Sequence, residues 1–142
     1  MGKVVFITGI STGFGKHTSS YLAHKGYKVY GTCRKACDCD PLVNLLYMDV
    51  TDAVDVEKCI NQVLEKEGRI DVLINNAGMH TGGAIEVAPY EDIRLQIETT
   101  FMGNINTIKS VLPAMRKQGK GTIVNVGSIG GLMGLPFQGF YS

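Results

Sequence analysis

The sequence predicts an α/β fold in which helices cover both faces of a parallel sheet, and three observations support this fold class. Short runs that are apolar throughout alternate along the chain with longer segments of helical periodicity. Strands buried on both faces of a parallel sheet lack the polar alternation of half-exposed strands. The chain has 142 residues and contains no linker, repeat or low-complexity stretch, so we expect one domain over residues 1–142.

Five short apolar runs are the predicted strands of this sheet. They cover residues 4–7, 28–33, 45–48, 72–74 and 123–126. Each run is too short for a helix, and the first ends at a glycine, which favours a turn. The glycine-rich tail over residues 127–139 is predicted to be a loop that leads towards another helix.

Two amphipathic segments between these strands are predicted helices. The first begins at Phe14 and ends at Gly26, because glycine readily adopts the left-handed conformation that terminates helices. Its recurring positions are Thr18, Tyr21, Leu22 and Lys25. The second is capped by Thr51 or Asp52 and ends at Gly68. Its apolar stripe is Val56, Ile60, Val63 and Leu64.

A third and longer helix is predicted between Pro89 and Gly119. Proline suits the first turn of a helix, where no intrahelical partner for its missing N–H is needed. Seven apolar residues at helical spacing are expected to form one stripe on this helix. They are Ile93, Ile97, Phe101, Ile105, Ile108, Leu112 and Met115.

Charge and cysteine content exclude several classes of partner. The 14 basic and 13 acidic side chains leave a net charge of +1, which argues against nucleic acid and anionic membrane surfaces. Because the chain has no apolar run of ~20 residues and no signal-peptide layout, we expect a cytoplasmic protein.

The four cysteines do not form a zinc-binding pattern. Cys33, Cys37, Cys39 and Cys59 lack a second cysteine or histidine pair at zinc-finger spacing. We therefore expect reduced thiols and no metal site.

The segment from Thr8 to Gly15 has the composition of a phosphate-binding loop. It lies between the first strand and the first helix, where backbone N–H groups and the positive end of the helix dipole point to one place. Gly9, Gly13 and Gly15 leave room for a pyrophosphate to approach the backbone. The spacing is G-x-x-x-G-x-G rather than the commoner G-x-G-x-x-G, and a glycine-rich turn without function is the alternative.

The end of the second strand indicates which dinucleotide is bound. An acidic residue about 20 positions after the glycine loop typically binds the ribose hydroxyls of NAD. Residues 32–35 contain no acid, whereas Arg34 can hold a 2′-phosphate through two parallel N–H contacts. This predicts NADP(H), with NAD still possible; the alternative is that Arg34 and Lys35 are simply solvated.

Several motifs in order, taken together, resemble the short-chain dehydrogenase/reductase family along the whole chain. The family's T-G-x-x-x-G-x-G loop is met from Thr8 to Gly15, and its N-N-A-G signature is met by residues 75–78. Asp49-Val50 occupies the place where the family binds adenine. Ser128 follows the fifth strand, and Tyr141 lies thirteen residues later, as the family's catalytic serine and tyrosine do.

The resemblance implies a Rossmann-type doubly wound parallel sheet, with five strands present and the C-terminal strands missing. It also implies reversible hydride transfer between a nicotinamide and a carbonyl or secondary alcohol, and a homo-oligomer for a full-length parent. The residues that would bind the cofactor are Thr8, Gly9, Ser11, Thr12, Gly13, Phe14, Gly15, Arg34, Asp49, Val50, Asn76, Ala77 and Gly78.

By the same resemblance, Tyr141 donates the proton and Ser128 positions the carbonyl. Thr100 occupies the place of the family's catalytic asparagine, and the family's lysine would fall beyond Ser142. We therefore expect an N-terminal, cofactor-binding portion that stops just after the catalytic tyrosine and is inactive by itself. A catalytically inactive NADP(H)-binding module with a sensing or docking role is the alternative, and an isolated structural domain is a third. The substrate stays open among steroid, fatty-acyl, sugar and quinone compounds.

Overall fold

The computed structural model describes residues 2–142, and five parallel strands form its single sheet. The strands are β1 (Val4–Thr8), β2 (Lys28–Cys33), β3 (Asn44–Tyr47), β4 (Val72–Asn75) and β5 (Thr122–Asn125). Their order across the sheet is β3-β2-β1-β4-β5, so the chain reverses direction across the sheet between β3 and β4. This confirms the predicted α/β sheet of the Rossmann type, with strand boundaries within one residue of the prediction.

Within residues 2–142, four α-helices connect the strands. They are α1 (Gly13–His24), α2 (Ala53–Glu67), α3 (Tyr90–Ile97) and α4 (Gly103–Gln118). A π-helical segment, Glu98–Met102, joins α3 to α4, and short 3₁₀ turns occupy Ile85–Val87 and Ile129–Gly131. Measured over residues 2–142, none of these helices combines the length and apolarity needed to cross a bilayer.

The sheet is covered on both faces, as the uniformly apolar strands predict. On one face, Val4 and Phe6 of β1 pack in a cluster with residues of α2 and α4. On the other face, Val5 and Ile7 pack with Ala23 of α1. Because successive side chains of a strand point to opposite faces, one four-residue run supplies both layers of the core.

The predictions for the first two helices differ in their success. Asp52 caps α2 by accepting hydrogen bonds from the N–H groups of residues 54 and 55 at 2.9 and 3.2 Å, and Gly68 ends it with φ of 71°. The apolar stripe of α2 is buried as predicted, with Leu64 partly so. The positions predicted to recur in α1 are not its buried face, since Tyr21 is exposed. Small residues are buried instead, which lets α1 approach the sheet closely: Gly15, Ser19 and Ala23.

The predicted stripe of the long third helix is wrong, because the helix is not regular. The π-helical segment adds an extra residue to its turn, so a face that is counted at regular spacing loses register. Ile97 and Phe101 are exposed, and of the predicted stripe only Met115 is fully buried. The residues that face the core are small or polar for the most part: Gln96, Thr99, Gly103, Thr107, Val111 and Met115.

Candidate functional site

A cleft of about 290 Å³, here called the main cleft, opens where the carboxyl ends of β1, β2 and β4 meet. In open α/β sheets, ligands bind at this edge, beside the point where the strand order reverses. The main cleft gathers residues from five separate stretches of the chain. They are Gly9, Ser11, Thr12, Phe14, Thr32, Cys33, Arg34, Met48, Asp49, Val50, Asn76, Ala77, Gly78, Met79 and Thr99.

The glycine loop is packed so closely that two of its glycines have no room for a side chain. Gly9 adopts φ of 72°, and a Cβ there would lie 2.7 Å from the Cα of Ala77. A Cβ on Gly15 would overlap both the carbonyl oxygen of Gly9 and the side-chain amide of Asn76. Glycine is therefore required at both positions, and the backbone between them borders the main cleft.

Four hydrogen bonds join the glycine loop to the segment after β4. The hydroxyl oxygen of Thr8 accepts from the backbone N–H groups of Asn76 and Ala77 at 3.0 and 2.9 Å. In return, the side-chain amide of Asn76 donates to the carbonyls of Thr8 and Gly9 at 3.0 and 2.8 Å. The predicted residues Thr8 and Asn76 thus hold two motifs together, 68 positions apart in sequence.

The first turn of α1 borders the main cleft, which Thr12 and Phe14 line. Within the described chain, the side chain of Thr12, at the start of the helix, makes no capping hydrogen bond to the first-turn amides. Uncapped first-turn N–H groups form an anion site together with the helix dipole. Gly13 begins the helix, and Phe14 projects its ring into solvent at the cleft edge, where it is 83% exposed.

Arg34 and Asp49 line the main cleft beyond the glycine loop. Arg34 follows the last residue of β2 and is exposed. The carboxylate of Asp49 accepts two hydrogen bonds of 2.9 Å, from the backbone N–H and the hydroxyl of Thr51. Val50 is buried beside Asp49. It packs so tightly on Gly103 that a Cβ added to Gly103 would lie 2.8 Å from a methyl carbon of Val50.

Thr99 is a residue of the main cleft that the sequence analysis missed. It is 9% exposed, and its hydroxyl has no hydrogen-bond partner among residues 2–142. Thr99 lies in the π-helical segment, off the predicted apolar stripe, so helical spacing carries no signal for it. Its only sequence signal is that it precedes Thr100. The other lining residues that were missed are Thr32, Cys33, Met48 and Met79.

A second cleft of about 230 Å³ brings together the three predicted catalytic residues, Ser128, Tyr141 and Thr100. The hydroxyl oxygen of Ser128 accepts a hydrogen bond from the N–H of Gly130 at 3.1 Å. The ring of Tyr141 lies against the same glycine and meets the His80 ring edge-on, with centroids 4.8 Å apart. Ser128 and Tyr141 therefore both lie next to Gly130.

Thr100 lies on the wall of the second cleft and is engaged with the chain after β4. Its hydroxyl donates to the carbonyl of Met79 and accepts from the Met79 N–H, both at 3.3 Å. The neighbouring Gln96 is buried and was also missed by the sequence analysis. Its amide oxygen accepts from the N–H of Thr81 at 2.6 Å, and its amide nitrogen donates to the carbonyl of Phe140 at 2.9 Å. Gln96 thereby ties the segment that carries Tyr141 to α3.

Metal-ligating side chains do not converge in the part of the chain that the structure describes. No group of three or more histidine, cysteine, aspartate or glutamate side chains is arranged to hold an ion among residues 2–142. The four cysteines are free thiols.

Comparison with known proteins identifies the family to which this geometry corresponds. The family model of short chain dehydrogenases matches residues 3–142. A 3-ketodihydrosphingosine reductase of Bacteroides thetaiotaomicron is 49% identical over 140 residues, which are 99% of this chain and 52% of that protein. A 3-oxoacyl-[acyl-carrier-protein] reductase, FabG, of Thermotoga maritima is 34% identical and covers 99% of this chain and 61% of that protein.

Solved structures also match the chain over nearly its whole length. The structure of ElxO with NADP bound superimposes with a TM-score of 0.92 at 33% identity. The match covers 99% of this chain and 61% of ElxO. The chain thus spans between half and two thirds of the length of the relatives named here.

Proposed function

The chain belongs to the short-chain dehydrogenase family, and on this premise we propose that it forms the NADP(H)-binding part of an oxidoreductase that interconverts a carbonyl and a secondary alcohol. One observation carries the proposal. The main cleft collects the glycine loop, the end of β2, the turn at Asp49 and the segment after β4, which are remote in sequence. A cleft of this composition at the carboxyl edge of a parallel sheet suits a dinucleotide.

The residues of the main cleft fit a dinucleotide in two independent respects. Gly9 and Gly15 leave the backbone bare next to the uncapped amides of α1, so a pyrophosphate can approach them. Thr99 lines the same cleft and has a buried hydroxyl without a partner among residues 2–142. Such a hydroxyl costs free energy until something pairs with it. We propose that the bound nucleotide supplies that partner.

A preference for NADP(H) is proposed on the chemistry of Arg34. An exposed guanidinium at the cleft edge can bind a 2′-phosphate, and residues 32–35 include no carboxylate that would repel it. NADP bound to ElxO supports the same preference. Titration of the full-length protein should show NADPH binding at least tenfold more tightly than NADH, and Arg34→Ala should abolish the difference. Arg94→Ala, on the exposed side of α3, is the matched control; equal affinities in the unmodified protein would end the assignment.

The proposed catalytic roles follow from the atom on which negative charge develops during the reaction. When bound, the nicotinamide donates or accepts the hydride. As a carbonyl is reduced, negative charge grows on its oxygen, which needs a proton donor and a hydrogen-bond donor. We assign the proton transfer to the Tyr141 hydroxyl and the positioning hydrogen bond to Ser128, since both line the second cleft. Tyr141→Phe in the full-length protein should lower kcat at least 100-fold and leave the Kd for NADPH unchanged.

Thr100 is the observation that favours a second candidate, an NADP(H)-binding module without turnover. Its hydroxyl is engaged by Met79, and it stands where the family has its catalytic asparagine. Turnover of the unsubstituted full-length protein separates the two candidates. An active enzyme oxidises NADPH with Thr100 in place, whereas an inactive module binds NADPH without turnover, and Thr100→Asn then tests whether this residue is the cause.

The proposed substrate is a carbonyl compound with a long apolar chain. The relative from Bacteroides is named for 3-ketodihydrosphingosine, and its 49% identity spans nearly the whole chain. Apolar side chains near the second cleft are exposed, including Leu132 at 89% and Phe137 at 72%. Such surface binds an alkyl chain more readily than a sugar. NADPH oxidation should therefore be faster with 3-ketodihydrosphingosine than with a short hydrophilic ketone, and the opposite order would exclude this substrate class.

A further inference from the structure

Cys33 lines the main cleft and is in contact with a second cysteine, Cys37. Cys33 is buried at the end of β2 and lines the cleft. The thiol of Cys37 donates to the sulfur of Cys33, with the two sulfurs 3.3 Å apart. The thiol of Cys33 donates in turn to the carbonyl of Lys35 at 2.7 Å. Both groups are free thiols, so this contact is a reduced pair.

The pair is placed so that a disulfide can form with little rearrangement. A disulfide needs sulfurs ~2.05 Å apart, so the observed separation must close by roughly 1.3 Å. Cys33 is held in a strand, whereas Cys37 lies in a segment without regular secondary structure, over residues 34–40. Movement of that segment can therefore close the gap without disturbing the sheet.

We propose that Cys33 and Cys37 form an oxidisable dithiol, a site of reversible modification by hydroperoxides that controls access of the NADP 2′-phosphate to Arg34. The second half of this proposal rests on the proposed function. The ring that the disulfide closes contains Arg34, Lys35 and Ala36, so Arg34 lies inside it. Closure also removes the hydrogen bond from Cys33 to the Lys35 carbonyl, which frees that carbonyl to turn.

The environments of the thiols set the order of the chemical steps. Burial holds the pKa of the Cys33 and Cys39 thiols above the usual range, which keeps both protonated at neutral pH. Cys37 is partly exposed, so peroxide reaches it first. Its thiolate displaces hydroxide from hydrogen peroxide and becomes a sulfenic acid. The Cys33 sulfur then attacks the Cys37 sulfur while the Cys33 thiol proton passes to the departing hydroxide, so the S–O bond breaks and water leaves. Two sulfurs are oxidised, and one peroxide is reduced to two waters.

Peptide mapping of the full-length protein tests the covalent step. After treatment with hydrogen peroxide and alkylation of the remaining thiols, trypsin should release residues 29–34 linked to residues 36–58. Fragmentation should place the link at Cys37, and a reductant should remove it. A link at Cys39, a link between two chains, or unlinked peptides alone would overturn the proposal. This measurement does not depend on nucleotide binding or on a variant that folds.

Nucleotide titration tests the consequence. The oxidised protein should bind NADP⁺ about tenfold more weakly than the reduced protein, with NAD⁺ affinity changed less than twofold. Cys37→Ser should abolish the response to peroxide, and Cys39→Ser, the matched control, should keep it. A disulfide that leaves NADP⁺ affinity unchanged would overturn the control of Arg34. If the reduced protein binds neither nucleotide, the proposed function fails, and the peptide map still decides the oxidation.

Discussion

The main cleft and the second cleft are built in different ways. In the main cleft, the buried Thr8 and the partly buried Asn76 join β1 to the chain after β4 through four hydrogen bonds. The second cleft lies beside β5, the edge strand of the sheet, and its serine and the residues after it are mostly exposed. The buried Gln96 links this region to the rest of the fold through hydrogen bonds with Thr81 and Phe140.

The two clefts differ in how far each is preorganised for binding. Buried, mutually satisfied hydrogen bonds hold a backbone rigidly, because breaking one leaves an unpaired polar group. Exposed segments with few buried contacts open at lower free energy. We therefore expect the nucleotide side to be stiff and the serine–tyrosine side to depend on individual contacts.

The largest expected effect is a difference in stability between two glycine substitutions, one in the glycine loop and one near the second cleft. Gly15→Ala places a methyl group against backbone and the Asn76 amide, so it should lower the free energy of unfolding by about 3 kcal/mol and abolish NADPH binding. Gly131→Ala, near the second cleft, meets open space in the described chain and should change stability by less than about 0.5 kcal/mol. Urea titrations and NADPH binding measure both; similar losses in the two variants would contradict the contrast.

The next effect concerns the hydrogen bonds that stiffen the main cleft. Asn76→Ala removes the donor to the Thr8 and Gly9 carbonyls and should cost about 2 kcal/mol of stability, with weaker NADPH binding. Asn61→Ala, on the exposed face of α2, is the control and should be close to neutral. Urea unfolding compares the two variants. Unchanged NADPH affinity in Asn76→Ala would show that the glycine loop keeps its shape without this residue.

A smaller effect should loosen the second cleft alone. Gln96→Ala removes the bonds to Thr81 and Phe140 and should cost about 1–2 kcal/mol locally. Amide hydrogen exchange should then become faster in residues 137–142, while NADPH affinity stays the same. If amide exchange became equally faster in β1, Gln96→Ala would not act on the second cleft alone.

The smallest effect has opposite signs in the free and bound protein. Thr99→Val removes a buried hydroxyl that lacks a partner, so it should stabilise the free protein by about 1 kcal/mol. If the nucleotide pairs with that hydroxyl, the same substitution weakens NADPH binding several-fold. Thermal melts with and without NADPH measure both signs, and Thr99→Ser should retain the affinity. A variant that is more stable and binds equally well would remove Thr99 from the site.

Local patterns predicted most of the fold but not the buried faces of α1 and of the irregular long helix. Apolar strands and the Asp52 cap depend on neighbouring residues alone, so they were predictable. The buried face of the long helix was not, because the π-helical segment shifts its register. Motif order likewise predicted ten of the fifteen residues that line the main cleft. Thr99 and Gln96 carry no motif and become visible only through their burial.

The parallel sheet, the glycine loop and the family could be predicted from the residues alone, because strand apolarity, bare backbone and motif spacing are local properties of the chain. The buried helix faces, the contact of Asn76 with the glycine loop and the contact of Cys37 with Cys33 became known from the folded chain. The physical reason is that these contacts depend on how closely two elements approach. That distance is set by packing across the whole sheet, which no single stretch of residues encodes.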